Sequence, residues 1–195
     1  MSEFEDLRQE ILNCQICKEL IDGYDHPITS GNQKAKIMQI GQAPSRACMM
    51  TGKAFDDASG KKLLEWYAIK REEFDNPDNF YIAAMAKCYP GKSSTSGDNP
   101  PPKICAQTYM NRELEIIEPE MYIVIGSYAA KWFFPKEKLT DLIFQNHTYK
   151  GKPLYVIPHP SPLNRRWLKA HPEFEKERII DIRNQIHKLI HNKRQ

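Results

Sequence analysis

Four short runs of apolar and β-branched residues set the main limit on what this chain can fold into: KIMQI at 36–40, FYIAAMA at 80–86, MYIVI at 121–125 and LYVI at 154–157. Each is too short for an ordinary helix and too continuous for a strand with one wet face. Each therefore reads as a strand buried on both sides. Segments that suit helices lie between them, at 59–69, 103–118 and 127–134, the first with Asp57 and Ser59 as candidate N-caps. Strands alternating with crossover helices predict an α/β fold, with a mostly parallel four-stranded central sheet and helices on both faces. A helix over 3–13 precedes the sheet and a long amphipathic one over 173–191 closes the chain. In the latter, Ile179, Ile182, Ile186 and Leu189 fall at steps of three and four and mark the buried face.

At 195 residues, with no internal repeat and no clear linker, the chain is expected to form one domain over 1–195. Residues 89–102 (YPGKSSTSGDNPPP) are rich in turn formers and read as a long surface loop. The apolar fraction of 41% and charged fraction of 27% are those of a globular protein, and no stretch approaches the roughly 20 apolar residues of a membrane span. The start, MSEFEDLRQE, lacks the basic and apolar regions of a secretory signal, so a cytoplasmic monomer with no membrane partner is expected. Residues 163–195 hold nine Lys/Arg against four Asp/Glu, so the small net charge of +3 hides a basic end. That end suits a polyanionic ligand, although 188–194 reads equally well as a solvated helix face with a basic tail.

In open parallel sheets ligands bind beyond the carboxyl ends of the strands. Here an unusual loop follows each strand: GQAPS at 41–45, KCYPG at 87–91, GSYAAKWF at 126–133 and PHPSPLNRRW at 158–167. All four are expected to border one crevice. In the last, Pro158 and Pro160 flank His159 and restrict where its imidazole points. Four of the five cysteines form the pattern C-x2-C-x70-C-x16-C, at Cys14, Cys17, Cys88 and Cys105. In a cytosolic chain these suit a metal centre better than disulfides, either a 4Fe–4S cluster or a structural zinc, and the spacing does not choose between the two. Cys48 stands apart and reads as an incidental buried thiol.

GQAPS after the first strand, TGKAF ten residues beyond Gly41, KC after the second strand, the four-cysteine spacing and HPSP after the last strand together resemble the uracil-DNA glycosylase superfamily, specifically its iron-sulfur branch. The resemblance implies a three-layer αβα fold, a 4Fe–4S cluster on Cys14, Cys17, Cys88 and Cys105, and hydrolysis of the N-glycosidic bond of a base extruded from single- or double-stranded DNA. His159 would donate a hydrogen bond to a carbonyl of the leaving base, where negative charge builds in the transition state, and a neutral imidazole suffices. Gln42 would orient the attacking water or the base, with Gly41, Ala43 and Pro44 shaping the same loop. Phe55 would stack on the base and Ala84 would lie at its edge. Ser161, Arg165 and Arg166 would meet phosphates, and Leu163 would fill the space the flipped base leaves. Phe55 and Leu163 also fit a hydrophobic core.

Two positions depart from the family. Its iron-sulfur members commonly carry glutamate where this chain has Gln42, and asparagine where it has Ala84. Glutamine is no general base, and alanine cannot read a base edge; Asp56, Asp57 or Asp98 could supply a carboxylate instead. Two other readings stay open from the residues: a nucleic-acid-binding module of the same fold without catalysis, and a zinc-stabilised nucleoside or nucleotide hydrolase.

Overall fold

The structure, a computed structural model, describes residues 2–21 and 25–192; Lys193 and Arg194 of the basic tail lie outside the described residues. Four strands run parallel, β1 (Ile37–Gly41), β2 (Phe80–Ala84), β3 (Met121–Ile125) and β5 (Lys152–Ile157), as their apolar runs dictate. A fifth, β4 (His147–Tyr149), pairs antiparallel with β5, and the order across the sheet is β2-β1-β3-β5-β4. The α/β class and the parallel strands are as expected, but the sheet has five strands rather than four. The fifth escaped because it is three partly exposed residues long. Its turn is Lys150-Gly151, with φ of 49° and 72°, the left-handed pair a two-residue hairpin requires. A lysine at the first of these positions hides the usual Asn-Gly or Asp-Gly signal.

Every residue of β1 and β3 is buried, so the middle of the sheet is covered on both faces. Helix α1 (Glu3–Leu12) packs on α5 (Lys103–Ile116), α3 (Ala58–Tyr67) on α9 (Ile179–His191), and α6 (Gly126–Phe133) lies against β1, β3 and β5. Asp57, not Ser59, caps α3: its carboxylate accepts the Gly60 N–H at 2.9 Å. In α9, Ile179, Ile182 and Ile186 are buried as the spacing requires, and Leu189 is half-buried. The preceding turn, Phe174–Arg178, is π-helical, and there the buried Arg178 guanidinium donates to the carbonyls of Ile143 and Gln145. Four helices of five or six residues, α2 (Arg46–Thr51), α4 (Arg71–Asp75), α7 (Leu139–Ile143) and α8 (Arg165–Ala170), are too short to show a period in sequence. Among the described residues no helix is long and apolar enough to cross a membrane.

Among the described residues one ion pair is fully inside. The Lys87 side chain, only 4% exposed, meets Glu113, 1% exposed, and also donates to the Ala84 carbonyl at 3.0 Å, while the other Glu113 oxygen accepts from the Tyr81 hydroxyl at 2.9 Å. Truncating one partner leaves the other buried and unpaired, so Glu113→Ala is expected to lose about 3–5 kcal/mol. Glu10→Ala, which breaks the exposed pair with Arg112, should lose no more than about 1 kcal/mol. Urea midpoints of the two variants measure the contrast.

Candidate active site

A cavity of about 370 Å³ opens at the carboxyl ends of the strands, a volume within the range of small-molecule sites. Residues 41–45 after β1, residues 84–98 after β2 and residues 159–164 after β5 contribute to its wall. Three of the four expected loops therefore meet in one crevice. The fourth is not a loop: α6 starts at Gly126 directly after β3. Its φ of +77° makes that turn, and a Cβ there would stand 3.4 Å from that of His159. Gly126 thus backs the histidine. Residues 54–59, which carry the expected Phe55 and the candidate carboxylate Asp57, also line the cavity, as do residues 28–30, which were not anticipated and run beside β2 through Ile82 N–H to the Ser30 carbonyl and Ile28 N–H to the Lys87 carbonyl.

His159 is held at both ends of its residue. The Ser161 N–H donates to its Nδ1 at 3.2 Å, and the Asn164 amide donates to its carbonyl at 3.1 Å. With Nδ1 an acceptor, the ring proton sits on Nε2. Burial pushes the imidazole below its ordinary 6.5, against the opposing pull of the Asp57 and Asp98 charges. The side chain facing the cavity is therefore a neutral ring with one fixed N–H donor.

Phe55 lies opposite in a strained turn, with φ of 55°. Arg71 secures that turn by donating to the carbonyls of Ala54 and Phe55 at 2.9 and 2.8 Å, while a salt bridge to Asp75 holds the guanidinium itself. The ring packs edge-on against Phe74 and over Gly41, whose Cβ would come within 3.4 Å of it. Gln42, Ala43, Pro44 and Ala84 all line the cavity. Of the three candidate carboxylates Asp57 and Asp98 line it and Asp56 does not. Cys48 is buried as expected but also lines the cavity, its thiol directed to Asp57 at 3.7 Å. Asp57 was legible as a helix cap and as a candidate carboxylate; Cys48 read only as an incidental buried thiol, and Asn164 only as part of the loop at 158–167.

At the mouth, Ser161 accepts from the Leu163 N–H and opens a 3-10 turn, Pro162–Asn164. Leu163 is 71% exposed and so is not a core leucine. Arg165 and Arg166 follow at the start of α8, exposed and outside the cavity lining.

The four cysteines gather beneath the loop after β2. Cys17 packs with Ile21 and Cys88; burial pushes its thiol up, and Cys14 beside it adds to the effect. Burial raises Cys105 too, with Cys17 and Cys14 adding to it, and the Lys87 N–H donates to its sulfur at 3.3 Å. Among the described residues no group of three or more Cys, His, Asp or Glu side chains is set to hold a metal ion.

Residues 28–183 match the Uracil DNA glycosylase superfamily. Among curated proteins, the type-4 uracil-DNA glycosylase of Archaeoglobus fulgidus is 32% identical over 158 residues, covering 78% of this chain and 73% of that one. Those of Sulfurisphaera tokodaii and Thermotoga maritima are 26% and 23% identical, covering 83% of this chain and 74% and 83% of their own.

The depressed His159 value has a consequence for stability. Below pH 6.5 the unfolded chain takes up a proton at this residue more readily than the folded one. Its contribution is therefore full above 6.5 and lost as pH falls through the lower folded value. Urea titrations between about pH 7.5 and 5 should show a steeper loss of stability for wild type than for His159→Asn.

Proposed function

This chain belongs to the uracil DNA glycosylase superfamily, and from that premise we propose that it is a DNA-repair hydrolase that cleaves the N-glycosidic bond of uracil in DNA. The observation that carries the reading is the Ser161 N–H on His159 Nδ1, which aims a neutral Nε2–H donor into a base-sized cavity. As the bond breaks, its electron pair moves onto the base and charge grows on the base carbonyls. A donor already in place stabilises that state more than the bound substrate, and it needs no reorganisation at the moment of reaction. Phe55, fixed by Arg71, offers the flipped base a stacking face. Leu163 at the rim fills the gap left in the duplex, and Ser161, Arg165 and Arg166 meet phosphates. The Gln42 amide can orient water or base but cannot remove a proton.

We infer that the four thiols hold a 4Fe–4S cluster rather than zinc, as the resemblance of their spacing to the iron-sulfur branch implies. A 4Fe–4S cluster takes four cysteine thiolates, one on each of four irons, and the four thiols here are the set that the spacing provides. Such a cluster would supply no step of the hydrolysis; it would tie α1, the loop after β2 and α5 together. Cys88→Ala is then expected to lose visible absorbance and melt at lower temperature. A colourless wild-type protein that binds one zinc would overturn the assignment.

Base release from uracil-containing single- and double-stranded oligonucleotides tests the activity. His159→Ala should lower the rate about 10²–10³-fold, the usual effect of removing one transition-state donor. A wild-type protein that retains its cluster, binds the DNA and releases no uracil would instead be a binding module.

A further inference from the structure

Hydrolysing a glycosidic bond needs a donor for the leaving group and, on the other side of the sugar, a negative charge that stabilises the developing cation and directs water. His159 answers the first need. Gln42 is neutral and supplies no such charge, whereas a carboxylate elsewhere in the wall would. Among the described residues lining the cavity, two carry one: Asp57 and Asp98.

The two are held differently. Asp98 sits exposed in the loop after β2, where it accepts from the Tyr89 hydroxyl at 3.0 Å. Asp57 is half-buried, two residues beyond Phe55, on the stretch that Arg71 clamps. Its Oδ1 accepts the Gly60 N–H at 2.9 Å, and a side chain at Gly60 would collide with the Phe55 carbonyl, so the cap and the stacking ring form one rigid unit. Among the described residues its Oδ2 accepts from the Cys48 thiol at 3.7 Å, a weak donor that leaves lone pairs for water. The thiol is fixed in turn by the Ser45 hydroxyl at 3.2 Å, from the loop that carries Gln42.

We propose that Asp57 is a catalytic residue, the carboxylate that stabilises the sugar cation and directs the attacking water, doing what Gln42 cannot. The assignment rests on the glycosylase reading above. In the step, the bond from C1′ to the base nitrogen breaks and its electron pair leaves with the base, which accepts a hydrogen bond from His159 Nε2–H. The water oxygen bonds to C1′ and its proton passes to Asp57, from there to solvent. The departed base takes up one proton, so the products are free base and the sugar hydroxyl.

Helix capping and charge separate cleanly at this position, because Asn and Ser cap as well as Asp. Asp57→Asn and Asp57→Ser should keep the melting temperature and DNA affinity while kcat on a uracil oligonucleotide falls about 10²–10⁴-fold with KM unchanged. Adding Gln42→Glu to Asp57→Asn should return part of the lost rate, since it places a carboxylate on the adjoining loop. Asp98→Asn should retain most of the rate. Wild-type kcat in Asp57→Asn, or a loss confined to Asp98→Asn, overturns the proposal and leaves the glycosylase reading intact. A wild-type protein that releases no uracil takes both down.

Discussion

A buried ammonium joins the parts of this protein that have to stay in register. Lys87 reaches Glu113 on α5 and the carbonyl of Ala84 at the end of β2, while its own backbone donates to Cys105 and accepts from Ile28. Five elements are thereby tied at one residue: the edge of the sheet, α5, the cysteine group, the segment 28–30 and the floor of the cavity. Burying a charge is costly unless every partner is present. The geometry around Lys87 is therefore close to all-or-none, and a cavity built on it inherits that rigidity. A thiol cluster next to it adds a second constraint on the same loop, which explains how fourteen residues of turn-forming sequence at 89–102 can carry pocket residues without a strand or helix of their own.

The opposite wall is held by polar contacts to backbone. Arg71 binds two carbonyls, Asp57 one N–H, Ser161 one N–H through its side chain, and Asn164 the carbonyl of His159. Each removes a torsional freedom from a residue that faces the cavity. His159 illustrates the result: two prolines limit its backbone, Gly126 admits it closely from behind, and a single N–H chooses its tautomer. For a group that must present one proton at one point, preorganisation of this kind is worth more than an added charge.

What could be read in advance follows from the range of each interaction. The parallel strands were legible because burial on both faces forces continuous apolar runs, and the long helices because their buried faces repeat. β4 and the short helices were not, since three to six residues are too few to show a period, and the β4–β5 turn at Lys150-Gly151 lacks the usual Asn-Gly or Asp-Gly signal. At the site the same division holds. His159 and the four cysteines announce themselves by local context and Phe55 through the resemblance of TGKAF, whereas the walls from 28–30 and from Cys48 enter the cavity only through tertiary packing. Asp57 shows the limit well, because its capping role was readable from its neighbours and its place in the cavity was not.

Ala84 bears on how such a site would choose its base. Its methyl offers no hydrogen bond, and its carbonyl already accepts one from Lys87, so the side chain cannot read a base edge. A pocket that lacks a paired polar group on the substrate loses the strong penalty that such a group imposes on a wrong base, and discrimination falls back on shape and stacking. Selectivity would then be set by the distance between the Phe55 ring and the floor at Ala84. Arg71 holds the Phe55 carbonyl on one side and Lys87 the Ala84 carbonyl on the other, so each wall of that gap is tied to a cation.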